Sequence, residues 1–302
     1  MSSAHLLASK LFNVSGLVAV VTGGGSGIGL MATQALAANG ARVYITGRRS
    51  EYLATVVEKY GQNIPGEIIA CPGDVTKKED VTRIAKEIGD REGGIHVLVN
   101  NAGISGPRTK LDKLESAQDY SDAHLKETYE DWDSVFRTNA TSGFMVTMAF
   151  LPLLEKFTKG RDPKGKAIFD EYRTGVINIT SISGLTKLNQ NHFAYNASKA
   201  AANHLQRMLA TNVGAKFGIR VNSIAPGVFP SEMTGSGSDE NNKTSLENQF
   251  DPASLGVPCD RAGSEEDMAG TILYLVGRSG QYTDGVILPV DGGTLSTNPS
   301  AY

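Results

Sequence analysis

Cysteine is almost missing from this chain: there are two among 302 residues, Cys71 and Cys259, far apart and without metal-ligand spacing. That excludes a disulfide framework and suits a reducing compartment. Histidine is nearly as scarce, five scattered residues, so no imidazole cluster is offered and no metal is expected. No apolar run approaches the ~18 residues a membrane span requires. Residues 1–12 lack the apolar core and small-residue cleavage site of a secretory signal. The final Pro299-Ser300-Ala301-Tyr302 is no peroxisomal address. Charge of one sign is also lacking: the formal net charge is -3, with no long basic run, which leaves no nucleic-acid footprint. A cytoplasmic protein is expected, with neither membrane nor nucleic acid as partner.

What is present is ordinary for a globular chain, 40% hydrophobic and 20% charged residues. The length allows one large α/β domain or two small ones. Residues 17–22 (Leu-Val-Ala-Val-Val-Thr) are a short apolar, β-branched run, the pattern of a buried parallel strand. The run passes directly into Gly23-Gly24-Gly25-Ser26-Gly27-Ile28-Gly29 and then a helical pattern from Leu30. Strand, glycine turn and helix form the context in which such a loop cradles a pyrophosphate. The turn brings backbone close to the anion, and the helix N-terminus offers free N–H groups and a positive dipole end. A flexible surface turn is the plain alternative.

Far downstream, Tyr195 and Lys199 stand four apart in Tyr195-Asn196-Ala197-Ser198-Lys199, followed by Ala200-Ala201-Ala202. On a helix this spacing sets phenol and ammonium on one face, one turn apart. A phenol with a pKa of ~10 becomes a usable general acid/base when a cation stabilises its phenolate.

The glycine spacing Gly23-x-x-x-Gly27-x-Gly29 together with Tyr195-x-x-x-Lys199 resembles the short-chain dehydrogenase/reductase family. Further matches follow in order along residues 15–295. Gly73-Asp74-Val75 resembles the family's Asp-Val after the third strand, which implies that Asp74 accepts from the adenine amine and Val75 lines the cofactor; Asp74 could equally cap the helix at 77–88. Asn100-Asn101-Ala102-Gly103 is similar to the family's Asn-Asn-Ala-Gly, with Asn101, Ala102 and Gly103 beside the cofactor. Asn139 falls where the family keeps an Asn that holds a water beside the catalytic Lys. Thr180-Ser181-Ile182-Ser183-Gly184 carries the catalytic serine; Ser181 matches better, Ser183 is the alternative, and one extra residue separates Ser181 from Tyr195. Asn222 and Pro226-Gly227 match the family's Asn-x-x-x-Pro-Gly, which implies that Pro226, Gly227 and the following Val228 line the cofactor. The next segment, Val228-Phe229-Pro230-Ser231, departs from the usual Ile-x-Thr and leaves Ser231 to meet the cofactor and Phe229 to meet substrate. This variant is similar to that of the rhamnolipid β-ketoacyl reductases and of some fungal reductases.

The resemblance implies a single α/β domain over residues 1–302: one doubly wound parallel sheet, Rossmann-like, with helices on both faces. Gly47 stands where NAD-specific relatives carry an acid for the ribose 2′-OH, and Arg48 and Arg49 follow. With Ser26, these suit a 2′-phosphate and so NADP, although a solvated arginine pair has the same sequence. Polar insertions at 106–127 and 160–174 carry no assigned chemistry. A helix is expected from 128 to 154, closed by Pro152. Residues 229–259 read as a substrate lid.

The expected activity is NADP-dependent reduction of a ketone or aldehyde, reversibly alcohol oxidation, with Ser181 holding the carbonyl oxygen, Tyr195 passing the proton, and Lys199 lowering the phenol's pKa. A homo-oligomer, tetramer or dimer, is expected from the family. Two rival readings remain: a 3-oxoacyl reductase acting on carrier-bound thioesters, for which Lys243 is the one basic residue at the lid, and a non-catalytic cofactor-sensing protein.

Overall fold

The computed structural model describes residues 3–111, 115–158, 172–247, 250–254 and 256–300. Most of the polar insertion at 160–174, and Asp112 and Lys113 of the earlier one, lie outside the described residues.

Seven strands form one parallel sheet in the order β3-β2-β1-β4-β5-β6-β7. They are β1 (Val18–Thr22), β2 (Arg42–Thr46), β3 (Glu67–Ala70), β4 (Val97–Asn100), β5 (Gly175–Ile179), β6 (Arg220–Pro226) and β7 (Ile287–Val290). Parallel neighbours need long crossovers, and helices supply them on both faces. Alternate side chains of β1 serve the two faces. Ala19 and Val21 pack with α1 (Gly27–Ala38), α2 (Ser50–Tyr60) and α8 (Glu265–Val276). Val18 and Val20 pack with α3 (Lys78–Glu92), α6 (Ser142–Phe157) and α7 (Phe193–Leu209). The expected doubly wound sheet is therefore the observed one.

Capping side chains mark helix starts. Ser264 and Asp267 form a reciprocal capping box at the start of α8. Another, Ser116 with Asp119, starts α4 (Ala117–His124) inside a segment read from sequence only as a polar excursion. The single helix expected at 128–154 is three pieces: α5 (Tyr129–Phe136), a π-helical turn at Arg137–Thr141 and α6. Pro152 does not end it, because buried Val146 and Phe150 before the proline and Leu153, Leu154 and Phe157 after it keep one face on the sheet. No described helix is long and apolar enough to cross a membrane.

Candidate functional site

Strand order reverses between β1 and β4, and a cleft of about 240 Å³ opens at the carboxyl ends of these strands. Its lining brings together Gly23, Gly25, Ser26, Gly27, Ile28, Arg48, Arg49, Asp74, Val75, Asn101, Ala102, Gly103, Tyr195, Lys199 and Ser231. Residues from six separate stretches of chain thus meet in one groove.

The glycine turn explains its own spacing. Gly23 has φ +65°, and a Cβ there would lie 2.9 Å from Asn101 Nδ2. That amide donates to the carbonyls of Thr22 and Gly23 and ties β4 to the turn. Gly29 does not line the groove; a Cβ on it would stand 2.1 Å from Gly23 O, so it permits helix to pack on strand. Ser26 begins α1 without a side-chain cap bond. The first-turn N–H groups therefore face the groove uncapped, which suits a pyrophosphate.

At the far end of the groove, Arg49 lies flat over the Tyr52 ring, 3.6 Å from its centre. It reaches Ser26 Oγ at 3.4 Å and donates from both terminal nitrogens to Glu232, at 2.9 and 2.7 Å. Arg48 shares the lining, and no carboxylate stands at Gly47. Asp74 is not a helix cap. Its Oδ1 accepts from Thr76 N and Thr76 Oγ1 in a local turn, and Lys77 precedes α3.

Tyr195 and Lys199 lie on α7 with the expected one-turn spacing, the ammonium 5.6 Å from the phenol ring centre. Ser181 is buried, and its hydroxyl lies close enough to Tyr195 to favour the charged form of that phenol. Ser183 is turned away, donating to Gln190 Oε1 at 2.7 Å. A 3-10 turn at Ile182–Gly184 separates the two hydroxyls, and Ser181 accepts from Ser183 N at its start. Asn139 sits in the π-helical turn, a frequent device at functional sites. Its side chain bridges Ile104, through both N and O, and Ser198 Oγ. That amide joins the segment after Gly103 to α7.

Burial pushes the Tyr195 phenol up from its ordinary value, opposed by the nearby Ser181 hydroxyl and by the positive charge of Arg108. Burial also lowers Lys199, to about 8. Its ammonium donates to Ile179 O at 3.1 Å. Arg108 and His192 were invisible to sequence reasoning. Arg108 donates to Met233 O at 2.9 Å, and the His192 ring lies 5.9 Å from that of Tyr195. Neither sits in a motif, since each depends on loop packing.

The Lys199 value makes a stability prediction. Between about 8 and 10.5 the folded chain has released this proton and the unfolded chain still holds it, so stability should rise with pH there. The span 10.5 − 8 = 2.5 units corresponds to about 3 kcal/mol at most. Urea melts of the wild type and Lys199→Met across this range should show the wild type gaining on the variant. A constant difference would contradict the buried ammonium.

The expected contacts of Phe229 with substrate and of Pro226, Gly227 and Val228 with the cofactor are corrected. Phe229 is 2% exposed and packs in the core, and a Cβ on Gly263 would stand 2.3 Å from its Cζ. It lines a separate cavity of about 140 Å³ with Val228, Phe250 and Cys259, not the groove beside Tyr195. Pro230 follows Phe229, and the chain turns so that Ser231 alone of this pair reaches the groove. Pro226 and Gly227 also stand back from the groove; Gly227 abuts Asp291 Cα, 2.8 Å from where its Cβ would be. The supposed lid begins as a strap over the groove. Ser231, Glu232 and Met233 line the groove, and residues 241–242 dock on α2 through Tyr60 Oη to Asn241 O (2.6 Å) and Asn242 Nδ2 to Tyr52 O (2.9 Å). Lys243 is paired with Glu265 at 2.6 Å. Among the described residues no His, Cys, Asp and Glu group could hold a metal.

Comparison with known proteins agrees with this architecture. Residues 17–242 match the family model described as short chain dehydrogenase. The chain is 40% identical to the short-chain dehydrogenase/reductase VdtF of Byssochlamys spectabilis, with 100% of both chains covered. It is 34% identical to the rhamnolipids biosynthesis 3-oxoacyl-[acyl-carrier-protein] reductase of Pseudomonas aeruginosa, over 93% of this chain and 97% of that one. A solved structure, the Pseudomonas aeruginosa RhlG/NADP active-site complex, superimposes with a TM-score of 0.74 at 32% identity, covering 94% of this chain and 98% of the other. A parallel sheet in the order 3-2-1-4-5-6-7, a glycine cradle and these matches together place the chain in the short-chain dehydrogenase/reductase family.

Proposed function

We propose that the protein is an NADP-dependent carbonyl reductase, acting reversibly as an alcohol dehydrogenase. One observation carries the chemistry: Tyr195, with Ser181 beside it, shares the groove of the glycine cradle with Lys199. The cradle would hold the pyrophosphate, Asp74 and Val75 the adenine side, and Arg48, Arg49 and Ser26 the 2′-phosphate. The NADP bound by the Pseudomonas aeruginosa relative supports that cofactor. When bound, the nicotinamide exchanges a hydride with the carbonyl carbon. As negative charge builds on the carbonyl oxygen, Ser181 donates a hydrogen bond to it and Tyr195 passes it the phenolic proton. Lys199 holds the cofactor's ribose side and Arg108 adds positive potential at the phenol. Asn139 acts as a positioning residue through Ile104 and Ser198.

The alternative substrate, a carrier-bound 3-oxoacyl thioester, is favoured by the name of the 34% identical bacterial relative. The pairing of Lys243 with Glu265 removes the one basic residue expected at the strap and speaks for a free ketone.

Turnover with NADPH against a panel of ketones, set beside carrier-bound 3-oxoacyl substrates, tests both readings. Activity on neither class would leave the cofactor-sensing reading. Ser181→Ala should slow turnover by roughly 10²-fold or more. Ser183→Ala should slow it far less, because its hydroxyl serves Gln190. The reverse order of effects would move the carbonyl contact to Ser183.

A further inference from the structure

The strap crossing the groove presents three consecutive side chains to three parts of it. Ser231 Cβ lies 3.0 Å from where a Cβ on Gly27 would stand, at the start of α1. Met233 Cε lies 3.6 Å from the corresponding point on Gly103, where Lys199 Nζ is also 3.6 Å away. Between them Glu232 reaches the opposite way, to the bidentate pair with Arg49. Its Oε1 also accepts from Ser238 Oγ at 3.0 Å, so the carboxylate links the strap's own turn to the wall of the groove. The Arg49 guanidinium holds the Glu232 carboxylate below its ordinary range, so it is charged at neutral pH.

From this geometry we infer that Glu232 sets cofactor preference: its carboxylate competes with the 2′-phosphate for Arg49, and phosphate binding releases the strap. The inference rests on the proposed NADP reading of the groove. Glu232 lines the same groove as Gly47, the usual seat of an acid, and comes from a different loop. Arg49 cannot give the same two N–H groups to a carboxylate and to a phosphate at once. The pair is partly open to water, with side chains 45% and 30% exposed, so it is a weak contact. A phosphate near a charge of −2 with three acceptor oxygens takes the guanidinium from it. An adenosine nucleotide with a bare 2′-hydroxyl has no such claim and leaves the pair closed. Asn241, Asn242 and Lys243 keep the far end of the strap on α2 and α8, so the released part is short.

Calorimetric binding of 2′,5′-ADP and 5′-ADP reads this without turnover. For Glu232→Gln the affinity for 2′,5′-ADP should rise roughly tenfold, one charge-assisted contact no longer being displaced. The affinity for 5′-ADP should stay within about twofold of wild type. In an Arg49→Ala background the gain from Glu232→Gln should vanish, because the two residues act through one contact. If the wild type does not prefer 2′,5′-ADP to 5′-ADP, the NADP reading itself fails. If it does, but Glu232→Gln changes both ligands equally or neither, Glu232 does not read the 2′ position. A gain that persists without Arg49 would also overturn the inference, since it would mean general repulsion and no competition. Thermal melts of each variant verify folding, and Glu232→Asp, which keeps the charge, should retain the wild-type preference.

Discussion

Tyr195→Phe is expected to lower kcat by roughly 10²–10⁴ or more while leaving NADPH binding nearly unchanged. The substitution keeps the ring, and with it the packing against His192 and the neighbourhood of Lys199, and deletes only the hydroxyl beside Ser181. The loss should fall on kcat more than on KM, because the proton is needed as charge develops on the carbonyl oxygen and not when substrate first binds. Steady-state rates with a ketone and NADPH, paired with fluorescence titration of the cofactor, separate the two quantities. Near-normal turnover in the variant would mean that another group moves the proton. A parallel loss of cofactor binding would mean that the hydroxyl is mainly structural.

Arg48→Ala is expected to weaken NADPH by about 10- to 150-fold, the equivalent of one charge-assisted bond of roughly 1.5–3 kcal/mol. NADH, which has no 2′-phosphate, should change little. Arg48 and Arg49 are not equivalent in the folded chain. Arg49 is already committed to Glu232 and Tyr52, whereas Arg48 lines the groove with no described ion-pair partner. Arg48 can therefore meet the phosphate directly, whereas Arg49 joins it only by leaving Glu232. Gly47→Asp combined with Arg48→Ile adds repulsion of the phosphate and an acceptor for a 2′-hydroxyl, and should swing preference further toward NADH. A Cβ at Gly47 would meet only Leu53 Cδ2, at 3.6 Å, so the position has room for a side chain to start. The measurement is kcat/KM with both cofactors for wild type and the two variants. A wild type preferring NADH would defeat the assignment. An unchanged ratio in Arg48→Ala would move the phosphate contact to Arg49 or Ser26.

Much of the site was legible because its chemistry is local in the chain. The cradle needs a strand, three spaced glycines and a helix start in succession, so its parts cannot be far apart in sequence. Tyr195 and Lys199 need one helical turn, and a spacing of four expresses that. The choice between Ser181 and Ser183 was left open by the same reasoning. Both hydroxyls stand near the end of β5, and only the 3-10 turn at Ile182–Gly184 decides which one faces α7. Phe229 failed for a related reason. An aromatic residue after the Pro-Gly of β6 reads as a pocket residue, but Gly263, 34 positions onward, leaves the space that buries it.

The sequence by itself determined the strand order's raw material, the dinucleotide cradle, the Tyr–Lys pair and the absence of an acid at Gly47, because each is a pattern of neighbours a few residues apart. Only the tertiary structure decided that Ser183 turns to Gln190 while Ser181 stays buried beside Tyr195, that Arg108 lies close enough to act on that phenol, and that Glu232 closes on Arg49 from 183 residues away. These are contacts between loops whose approach is set by the sheet's crossovers and by the burial of distant side chains, and no periodicity or spacing along the chain encodes such an approach.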